Sequence, residues 1–486
     1  MQQLTIERAA AIILFALLFA LAARIPVDTD TWWHIRSGEY TLAQGMIYTD
    51  PFSLTRAGEP WVNHSWGAQL ILAAVWRVGG NLGLAVYVAA LATAGMALVY
   101  RLSPGNVYLR AFTTVLGAAA AAVFWSARPQ MLSFMLSAGV LYILCSFRRR
   151  QADRLWWLPV IMGIWGNLHA GFSIGFILLL GTIAGAVLTR LFQPDSPQSL
   201  SWGDVRKLAA VTIISAAALV VNPYGLRMLA VPFQTVNIGA LQNFIQEWNS
   251  PNFHDRSTWP FIGLLLGLLG AAGASRKRLD WTDFVLVSGT AFMALTAGRN
   301  IAVFAVVATP VLTEHLEAVL AERGWVVQPV RWVTPRIARL NALLVGLVLV
   351  GSAAKVLLVL DARTVAAAQA EFLPVKAAAF IQTERPPGPM FNSYNWGGYL
   401  MFTLPDYPVF VDGRTDLYGD DFLTRTYWPA ATGGSDWRSI LDRYGIRLVV
   451  VERDSGLARR LRDLPVWTLV HEDELAVVFT REGDDA

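Results

Sequence analysis

Two aspartates separated by one residue, Asp28 and Asp30, are the residues in this sequence best suited to chemistry. Carboxylates at this spacing can share a hard divalent cation, Mg²⁺ or Mn²⁺, or one can act as a base while the other orients a partner. The alternative is that both are solvated acids at the end of an apolar segment, with Trp33 as an interfacial anchor. Without further residues, the pair leaves both interpretations open.

Two arginines, Arg128 and Arg299, stand at the ends of apolar segments, where an unpaired guanidinium is costly and can bind phosphate in a bidentate manner. The sequence neighbours of Arg299 include no acid with which it could pair. This favours a functional role for Arg299 over a structural one. Arg128 can instead end a helix or snorkel to the lipid interface. Glu247 is a candidate third carboxylate for catalysis, or simply a solvated loop acid.

Of the histidines, His64 and His169 are predicted to line a site as hydrogen-bond donors, and His34 to be an interface residue. His254 and His315 are interpreted as structural. No H-x-x-x-H occurs, so the pattern does not favour a transition-metal site. Tyr224 belongs to an Asn-Pro-Tyr-Gly helix stop and turn, and its side chain can also face a cavity.

The elements that position these residues are membrane spans. The chain has 486 residues, 55% of them hydrophobic and only 15% charged, with a mean hydropathy of +0.44, values typical of an integral membrane protein. The single cysteine, Cys145, can form no internal disulfide. The net charge of +4 is modest, and the basic residues cluster in short loops, which indicates topology rather than binding to nucleic acid.

Five basic loops fall at every second turn and, with the N-terminus, are predicted to be cytoplasmic. The basic residues are Arg101 and Arg110; Arg148, Arg149, Arg150 and Arg154; Arg190, Arg206 and Lys207; Arg276, Lys277 and Arg278; and Arg323, Arg331, Arg336 and Arg339. Between them lie about eleven spans of the length that a bilayer requires. Their predicted centres are Phe15, Ala90, Leu116, Met135, Val160, Leu178, Ala217, Leu266, Val287, Val306 and Val348. The first apolar run, Ala9 to Ala23, is interpreted as a retained anchor in the cytoplasmic (inner) membrane.

An odd number of spans places the polar tail outside the cytoplasm. Residues 1–360 are predicted to form a transmembrane domain with a long first outer loop over 24–80, and residues 361–486 a small extracytoplasmic α/β domain. In the tail, 409–411, 447–451 and 476–479 have strand patterns, and 437–444 has a helical one.

With this orientation, eight segments that carry polar or charged residues lie on the outer face of the membrane. Their presence on one face predicts a functional site there. They are Asp28–Asp30, Asn63–Trp66, Arg128–Gln130, Asn167–His169, Asn222–Gly225, Glu247–Asn249, Arg299–Asn300 and the tail after about Asp361. P-loop and G-x-G-x-x-G motifs are absent from the sequence, so a nucleotide-sugar site is not indicated. A flippase or transporter would need inverted repeats or many polar residues within spans, and the sequence shows neither.

The run D-T-D-T-W-W-H-I-R-S-G-E-Y over 28–40 resembles the first-loop acidic motif of the C-type (GT-C) membrane glycosyltransferases, in the style of oligosaccharyltransferase catalytic subunits. Ser393–Tyr399 is similar in position to the tryptophan-rich acceptor signature of those enzymes, but it lacks the paired tryptophans and the aspartate. The resemblance places Tyr394 and Trp396, and Asp412 and Arg414 from the following polar loop, on the acceptor side.

The resemblance implies a GT-C fold with about eleven transmembrane helices and transfer of a sugar, with inversion, from a polyprenyl-(pyro)phosphate donor. The acceptor would be a glycan, a lipid or a protein on the extracytoplasmic side, and membrane lipids surround the enzyme. Asp28, Asp30 and Glu247 would be catalytic, while Arg128 and Arg299 would bind the donor phosphate. The degraded tryptophan signature leaves an alternative, a non-catalytic GT-C-like subunit that assembles with partner membrane proteins.

Overall fold

The computed structural model describes residues 4–239, 245–326 and 332–481. Arg331, one of the predicted cytoplasmic basic residues, lies outside these ranges. The described chain is mostly helical, with one small sheet near its C-terminal end. Its residues group into two compact units, one built from 4–24, 85–229 and the described part of 245–359, and one from 25–84, 230–239 and 360–481. We refer to them as the helical unit and the mixed unit.

Ten α-helices of the described chain lie wholly within the helical unit, which also contains the C-terminal part of the helix Trp66–Leu102. They are α1 (Ile6–Ala22), Val107–Ala121, Gln130–Arg148, Trp157–Leu168, Phe172–Phe192, Trp202–Ala218, Trp259–Ala274, Trp281–Thr296, Ile301–Glu322 and Pro335–Val359. Several begin at side-chain caps, because the first amide N–H groups of a helix have no partner within it. Ser201 and Asp204 form a reciprocal capping box, and the side chain of Asn106 accepts from the amides of Tyr108 and Leu109.

The helices agree with the predicted positions of the spans. Each of the eleven predicted centres falls within a helix, including Ala90 in the long helix Trp66–Leu102, which bends at Gly80. Within the described ranges, seven helices are long and apolar enough to cross a membrane, and two shorter ones, Trp157–Leu168 and Trp281–Thr296, are also apolar. An eighth span would need the pair Ala362–Phe372 and Val375–Glu384, which is bent by 90°. The number eleven stays a prediction.

The mixed unit contains a four-stranded sheet in the order β1-β2-β4-β3. Its strands are β1 (Met390–Asn392), β2 (Leu448–Glu452), β3 (Trp467–Glu472) and β4 (Ala476–Arg481). β1 runs parallel to β2, and the other neighbours are antiparallel. The shorter helices of this unit are Ala362–Phe372, Val375–Glu384, Gly397–Thr403, Thr415–Phe422, Trp428–Ala431, Trp437–Arg443 and Gly456–Arg462.

The strand patterns at 447–451 and 476–479 and the helical pattern at 437–444 correspond to β2, β4 and the helix Trp437–Arg443. The predicted strand at 409–411 is wrong: only Val409 makes a bridge, with Ser53. The side chain of Asn392 explains why, because its Nδ2 donates to Val411 O and its Oδ1 accepts from Phe410 N, each at 2.7–2.8 Å. A buried amide side chain thus takes the place of a strand partner.

The first outer loop also contains a helix, α2 (Asp30–Gln44), that the sequence patterns did not predict. Its buried face carries Trp32, Trp33 and Ile35. Trp33 joins a hydrophobic core with Trp61, Trp396, Leu400 and the β2 residue Val450. This core fixes the start of α2, and therefore Asp30, within the mixed unit.

Candidate functional site

The acid pair lies at the N-terminal end of α2, and its own backbone positions it. The amide of Asp30 donates to Asp28 Oδ1 at 2.9 Å, a local turn in which the Asp28 carboxylate accepts from the first residue of the helix. One turn later, Trp33 Nε1 donates to Asp30 Oδ1 at 3.1 Å. Because Trp33 is 5% exposed and belongs to the core, this bond aims the Asp30 carboxylate from a rigid base. Trp33, predicted to line the site, therefore lies in the core and positions the Asp30 carboxylate by this hydrogen bond.

Two glycines of the tail approach the same carboxylate and helix end closely. A Cβ atom at Gly413 would lie 2.1 Å from Asp30 Oδ1, and one at Gly398 would lie 2.7 Å from Thr29 O. Both distances are shorter than real Cβ contacts, so a side chain at Gly413 would displace the Asp30 carboxylate and one at Gly398 would displace the backbone at Thr29. The sequence signal was present in Asp412-Gly413-Arg414, but the approach to Asp30 could not be read from it.

In the helical unit, the structure brings Arg128, Glu247 and Arg299 together. Arg128 Nη1 donates to Glu247 Oε2 at 3.3 Å, and Arg299 Nη1 lies 3.6 Å from Glu247 Oε1. The guanidinium of Arg299 also stands over the ring of Trp248, 4.1 Å from its centroid. All three charged side chains are partly exposed, at 18–28%. The acid partner that Arg299 lacks among its sequence neighbours is Glu247.

The charge state of Glu247 follows from this arrangement. Burial raises the pKa of its carboxyl, but Arg128 and Arg299 outweigh burial and hold that pKa below its usual value. Glu247 is therefore ionised at neutral pH, and the cluster of two cations and one anion carries a net positive charge. Such a cluster can accept an anion, and arginine is the side chain that matches phosphate geometry.

His169 belongs to a hydrogen-bonded chain in the helical unit. Trp165 Nε1 donates to Ser133 Oγ at 2.7 Å, and Ser133 Oγ lies 2.8 Å from His169 Nδ1. The amide of Gly171 donates to the same Nδ1 at 3.1 Å, so Nδ1 is an acceptor and the ring proton is on Nε2. A Cβ at Gly171 would lie 2.4 Å from Ser133 Oγ. In this tautomer His169 can donate through Nε2, and its role in lining a site stays a prediction.

His64 and His34 lie in the mixed unit. His64 is half-buried, with Nδ1 2.9 Å from Ser65 Oγ. His34 was predicted to be an interface residue, and that prediction is wrong: it is 4% exposed, and Gln69 Nε2 donates to its Nδ1 at 3.4 Å. Gln69 in turn exchanges two hydrogen bonds with Asn63, at 2.6 and 2.8 Å. Tyr224, 8% exposed in the helical unit, lies in the predicted turn, where its amide donates to Asn222 Oδ1.

Two of the predicted acceptor-side residues, Asp412 and Arg414, have fully buried side chains. Arg414 donates through Nε and Nη2 to the two oxygens of Asp412, at 2.8 and 2.7 Å, and through Nη1 to Asp50 Oδ1 at 2.5 Å. Tyr418 OH donates to Asp412 Oδ2 at 2.8 Å. These side chains have no surface with which to contact an acceptor, so this placement is corrected: they form a buried ionic network that joins the first outer loop to the tail.

Trp396 is corrected in the same way, because it is 3% exposed and packs in the hydrophobic core. Tyr394 differs: it is half-buried, its hydroxyl lies 2.6 Å from Thr415 Oγ1, and its amide donates to Tyr427 OH at 2.6 Å. Of the four acceptor-side residues, Tyr394 therefore keeps an exposed part.

In the described part of the chain, no three metal-binding side chains of His, Cys, Asp or Glu cluster together. Asp28 and Asp30 supply two carboxylates. Two carboxylates fit Mg²⁺, which commonly takes one or two from the protein and completes its shell with water and substrate phosphates.

No protein-family model matches the sequence, and no curated protein matches it either. Solved structures do match. The archaeal oligosaccharyltransferase AglB from Archaeoglobus fulgidus, in complex with an inhibitory peptide and a dolichol-phosphate, is similar with a TM-score of 0.51 at 14% identity, over 91% of this chain and 69% of its own. ArnT from Cupriavidus metallidurans, bound to undecaprenyl phosphate, has a TM-score of 0.52 at 16% identity over 98% of both chains. The arabinofuranosyltransferase AftD from Mycobacteria has a TM-score of 0.52 at 14% identity, over 98% of this chain and 40% of its own.

All three are GT-C glycosyltransferases, and at these identities the similarity establishes the fold. The chain has the GT-C fold, as the motif over 28–40 predicted. With its apolar helices, this fold identifies an integral membrane protein.

Proposed function

We propose that this chain is a membrane glycosyltransferase that transfers a sugar from a polyprenyl-(pyro)phosphate donor to an acceptor on the extracytoplasmic side. The observation that carries the proposal is the acid pair at the start of α2, the first element after α1 in a GT-C fold. The bond from its amide to Asp28, a core tryptophan and a close glycine hold Asp30 in a fixed orientation. A carboxylate held in this way is preorganised for catalysis.

The donor phosphate is assigned to Arg128 and Arg299. They converge on one carboxylate from different parts of the chain, and the cluster keeps a net positive charge at neutral pH. Two solved structures of the same fold were obtained with dolichol-phosphate and with undecaprenyl phosphate. A polyprenyl phosphate donor for this chain is consistent with them.

Asp28 and Asp30 are assigned to the acceptor. One carboxylate takes the proton of the acceptor hydroxyl or amide as the new glycosidic bond forms, and the other orients it. If the reaction uses Mg²⁺ or Mn²⁺, these two carboxylates would hold the ion. His64 in the mixed unit, and His169 and Tyr224 in the helical unit, stay predictions as site-lining residues, and Tyr394 stays a prediction for the acceptor side.

Glu247 is assigned a positioning role rather than that of a base. Because the two arginines depress its pKa, its carboxylate is a weak proton acceptor, and both of its oxygens face guanidinium groups. It aligns the two arginines and limits their mutual repulsion. The assignment of the site to the extracytoplasmic side, with the N-terminus in the cytoplasm, rests on the distribution of basic loops.

The donor half of the proposal is tested by the binding of a short-chain polyprenyl-phosphate sugar to the purified full chain in detergent. We expect Arg299→Ala and Arg128→Ala each to weaken binding by about ten- to a hundred-fold, the value of one charge-assisted hydrogen bond. Arg206→Ala is the control, because this exposed arginine lies on a predicted cytoplasmic loop. Equal affinity in wild type and in both site variants would refute the assignment of the phosphate.

The acceptor half is tested by transfer. Asp28→Asn and Asp30→Asn keep the size of each side chain and remove its charge, so we expect loss of transfer with unchanged expression and thermal stability. Titration with EDTA followed by Mg²⁺ or Mn²⁺ would reveal whether an ion is required. Full activity in both variants would remove the acid pair from the mechanism.

One observation favours the alternative of a non-catalytic membrane subunit: Trp396, Asp412 and Arg414 are buried and cannot recognise an acceptor. The glycosyltransferase and the non-catalytic subunit are expected to give different results in the donor-binding experiment. A subunit that has lost catalysis need not bind a lipid-phosphate sugar. Absence of binding for every such donor, together with stable co-purification of another membrane protein, would support this second candidate.

A further inference from the structure

A pocket of about 70 Å³ opens within the mixed unit, and none of its lining residues has been assigned a role above. One wall is α2, through Arg36 and Tyr40; the others are Phe52 from the first outer loop and Tyr407 from the tail. Three prolines and two aliphatic side chains complete the lining. Among the described residues that line it, Arg36 is the one charged side chain.

Arg36 is partly buried, yet its guanidinium makes no hydrogen bond or ion pair with any residue in the described ranges. Its Nε is buried without an acceptor. A guanidinium has five N–H donors and cannot lose its charge, and a buried donor without a partner is destabilising. Arg414, a fully buried arginine of the same unit, shows how the chain can supply anions, with two aspartates around it. At Arg36 the chain supplies no anion, so a bound ligand is the natural source of one.

The side chains that line the pocket indicate which class of ligand would carry that anion. Tyr40 and Phe52 meet edge to face, with ring centroids 5.3 Å apart, and Tyr407 OH donates to Pro386 O at 2.8 Å. The rings are therefore fixed before a ligand arrives. Rigid aromatic faces and prolines suit a ring with an apolar face. The Tyr40 hydroxyl has no partner within the described chain and can bond to a polar group on such a ring.

We propose that this pocket binds an acidic sugar, a sugar ring that carries a carboxylate or a phosphate, with the anion on Arg36 and the ring against Tyr40, Phe52 and Tyr407. Arg36 forms a bidentate contact with the anion, which distinguishes acidic from neutral sugars. Binding in this pocket does not depend on the transfer reaction proposed above, and either can fail without the other.

The test is isothermal titration calorimetry on the full chain in detergent with four probes: D-glucuronate, D-glucose 6-phosphate, D-glucose and inorganic phosphate. We expect one or both acidic sugars to bind at least about ten-fold more tightly than glucose or phosphate alone, since each of the latter lacks one half of the contact. Arg36→Gln should weaken binding of the acidic sugar by about ten-fold or more. Arg425→Gln, which removes an 80% exposed arginine of the same unit, should leave it unchanged.

Tyr40→Phe removes one hydroxyl and keeps the ring, so it provides a mild second variant in case Arg36→Gln does not fold; we expect binding a few-fold weaker. Binding that persists in Arg299→Ala would separate the pocket from the donor-phosphate cluster, whereas its loss there would overturn the proposed location. The proposal is also overturned if neither acidic sugar binds, if inorganic phosphate binds as tightly as glucose 6-phosphate, or if a folded Arg36→Gln or Tyr40→Phe variant retains full affinity.

Discussion

The close approach of Gly413 to the acid pair makes Gly413→Ala a sharp test of how Asp30 is held. The added Cβ would lie 2.1 Å from Asp30 Oδ1 and 3.2 Å from Trp33 Nε1. Contact without repulsion needs about 3.5 Å, so the carboxylate or the Gly413 backbone must move by about 1.4 Å. Asp30 is partly exposed, and its side chain can rotate away only by breaking the 3.1 Å bond from Trp33.

We expect two consequences of different size. Overpacking and the lost hydrogen bond should lower the free energy of unfolding by about 1–3 kcal/mol, measured by chemical denaturation of the purified chain. A catalytic carboxylate displaced by an ångström should reduce transfer by about a hundred-fold, while donor binding at Arg128 and Arg299 stays as in wild type. The combination of modest destabilisation, intact donor binding and large loss of transfer distinguishes displacement from unfolding.

Gly139→Ala is the matched control, because the nearest atom to its added Cβ is 4.0 Å away. It should leave stability within a few tenths of a kcal/mol, or raise it, since alanine favours the helix. If Gly413→Ala were as stable and as active as Gly139→Ala, the orientation of Asp30 would not depend on the tail, and the preorganisation proposed for it would be refuted.

Three other perturbations follow from buried or paired groups. Arg414→Met should lower stability by about 3–5 kcal/mol, because two buried carboxylates lose their cation, whereas Arg425→Met at the surface should have almost no effect on the denaturation midpoint. Asn392→Ala should cost about 1–3 kcal/mol, since it leaves a buried amide and carbonyl unpaired; a cost near zero would contradict the role given to its side chain. Glu247 has a depressed pKa, so its ion pairs stabilise the fold above the unfolded pKa of about 4.3 and are lost as the pH falls through the lower folded value. The difference in unfolding midpoint between wild type and Glu247→Gln should therefore be constant near neutral pH and shrink on acidification, and a difference that grew instead would reverse the sign assigned here.

The membrane helices could be predicted because hydropathy is a local property, and each predicted centre falls within a helix. The sequence patterns did not predict the helix α2, because residues 30–44 are polar on average. Its apolar face is covered by residues of the tail, which no local pattern reveals. Trp33 packs against Trp396 and Leu400, residues more than 350 positions away in sequence. The strand predicted at 409–411 is wrong because a distant residue replaces a strand partner. The apolar pattern fits a strand, but the side chain of Asn392 forms the hydrogen bonds to the backbone of this segment that a neighbouring strand would have formed.

In the candidate site, too, some features could be predicted from local sequence and others depend on contacts between distant residues. Residue type and spacing selected Asp28, Asp30, Arg128 and Arg299, but the acid that pairs with the two arginines comes from a distant part of the chain. Glu247 pairs with both arginines across at least 52 positions, and sequence neighbours of Arg299 gave no sign of it. Arg414 and Asp412 look like surface charges in sequence, and they are buried because Asp50, 364 positions earlier, completes their network. Long-range pairing of charges is a property of the fold, which no local pattern encodes.

The charge of the arginine cluster bears on the reaction proposed for it. A sugar attached to polyprenyl phosphate is a phosphodiester with one negative charge, and its phosphate gains a second as the bond to the sugar breaks. Glu247 offsets one of the two cations, so the cluster matches the charge of the donor in the ground state and holds both guanidinium groups in place. The interaction then strengthens as charge develops on the leaving phosphate, which is the differential binding that lowers a barrier. Removal of the Glu247 charge would tighten binding of the ground state as well as of the transition state, and the rate would gain less. This gives an acid at the centre of the proposed phosphate site a physical purpose.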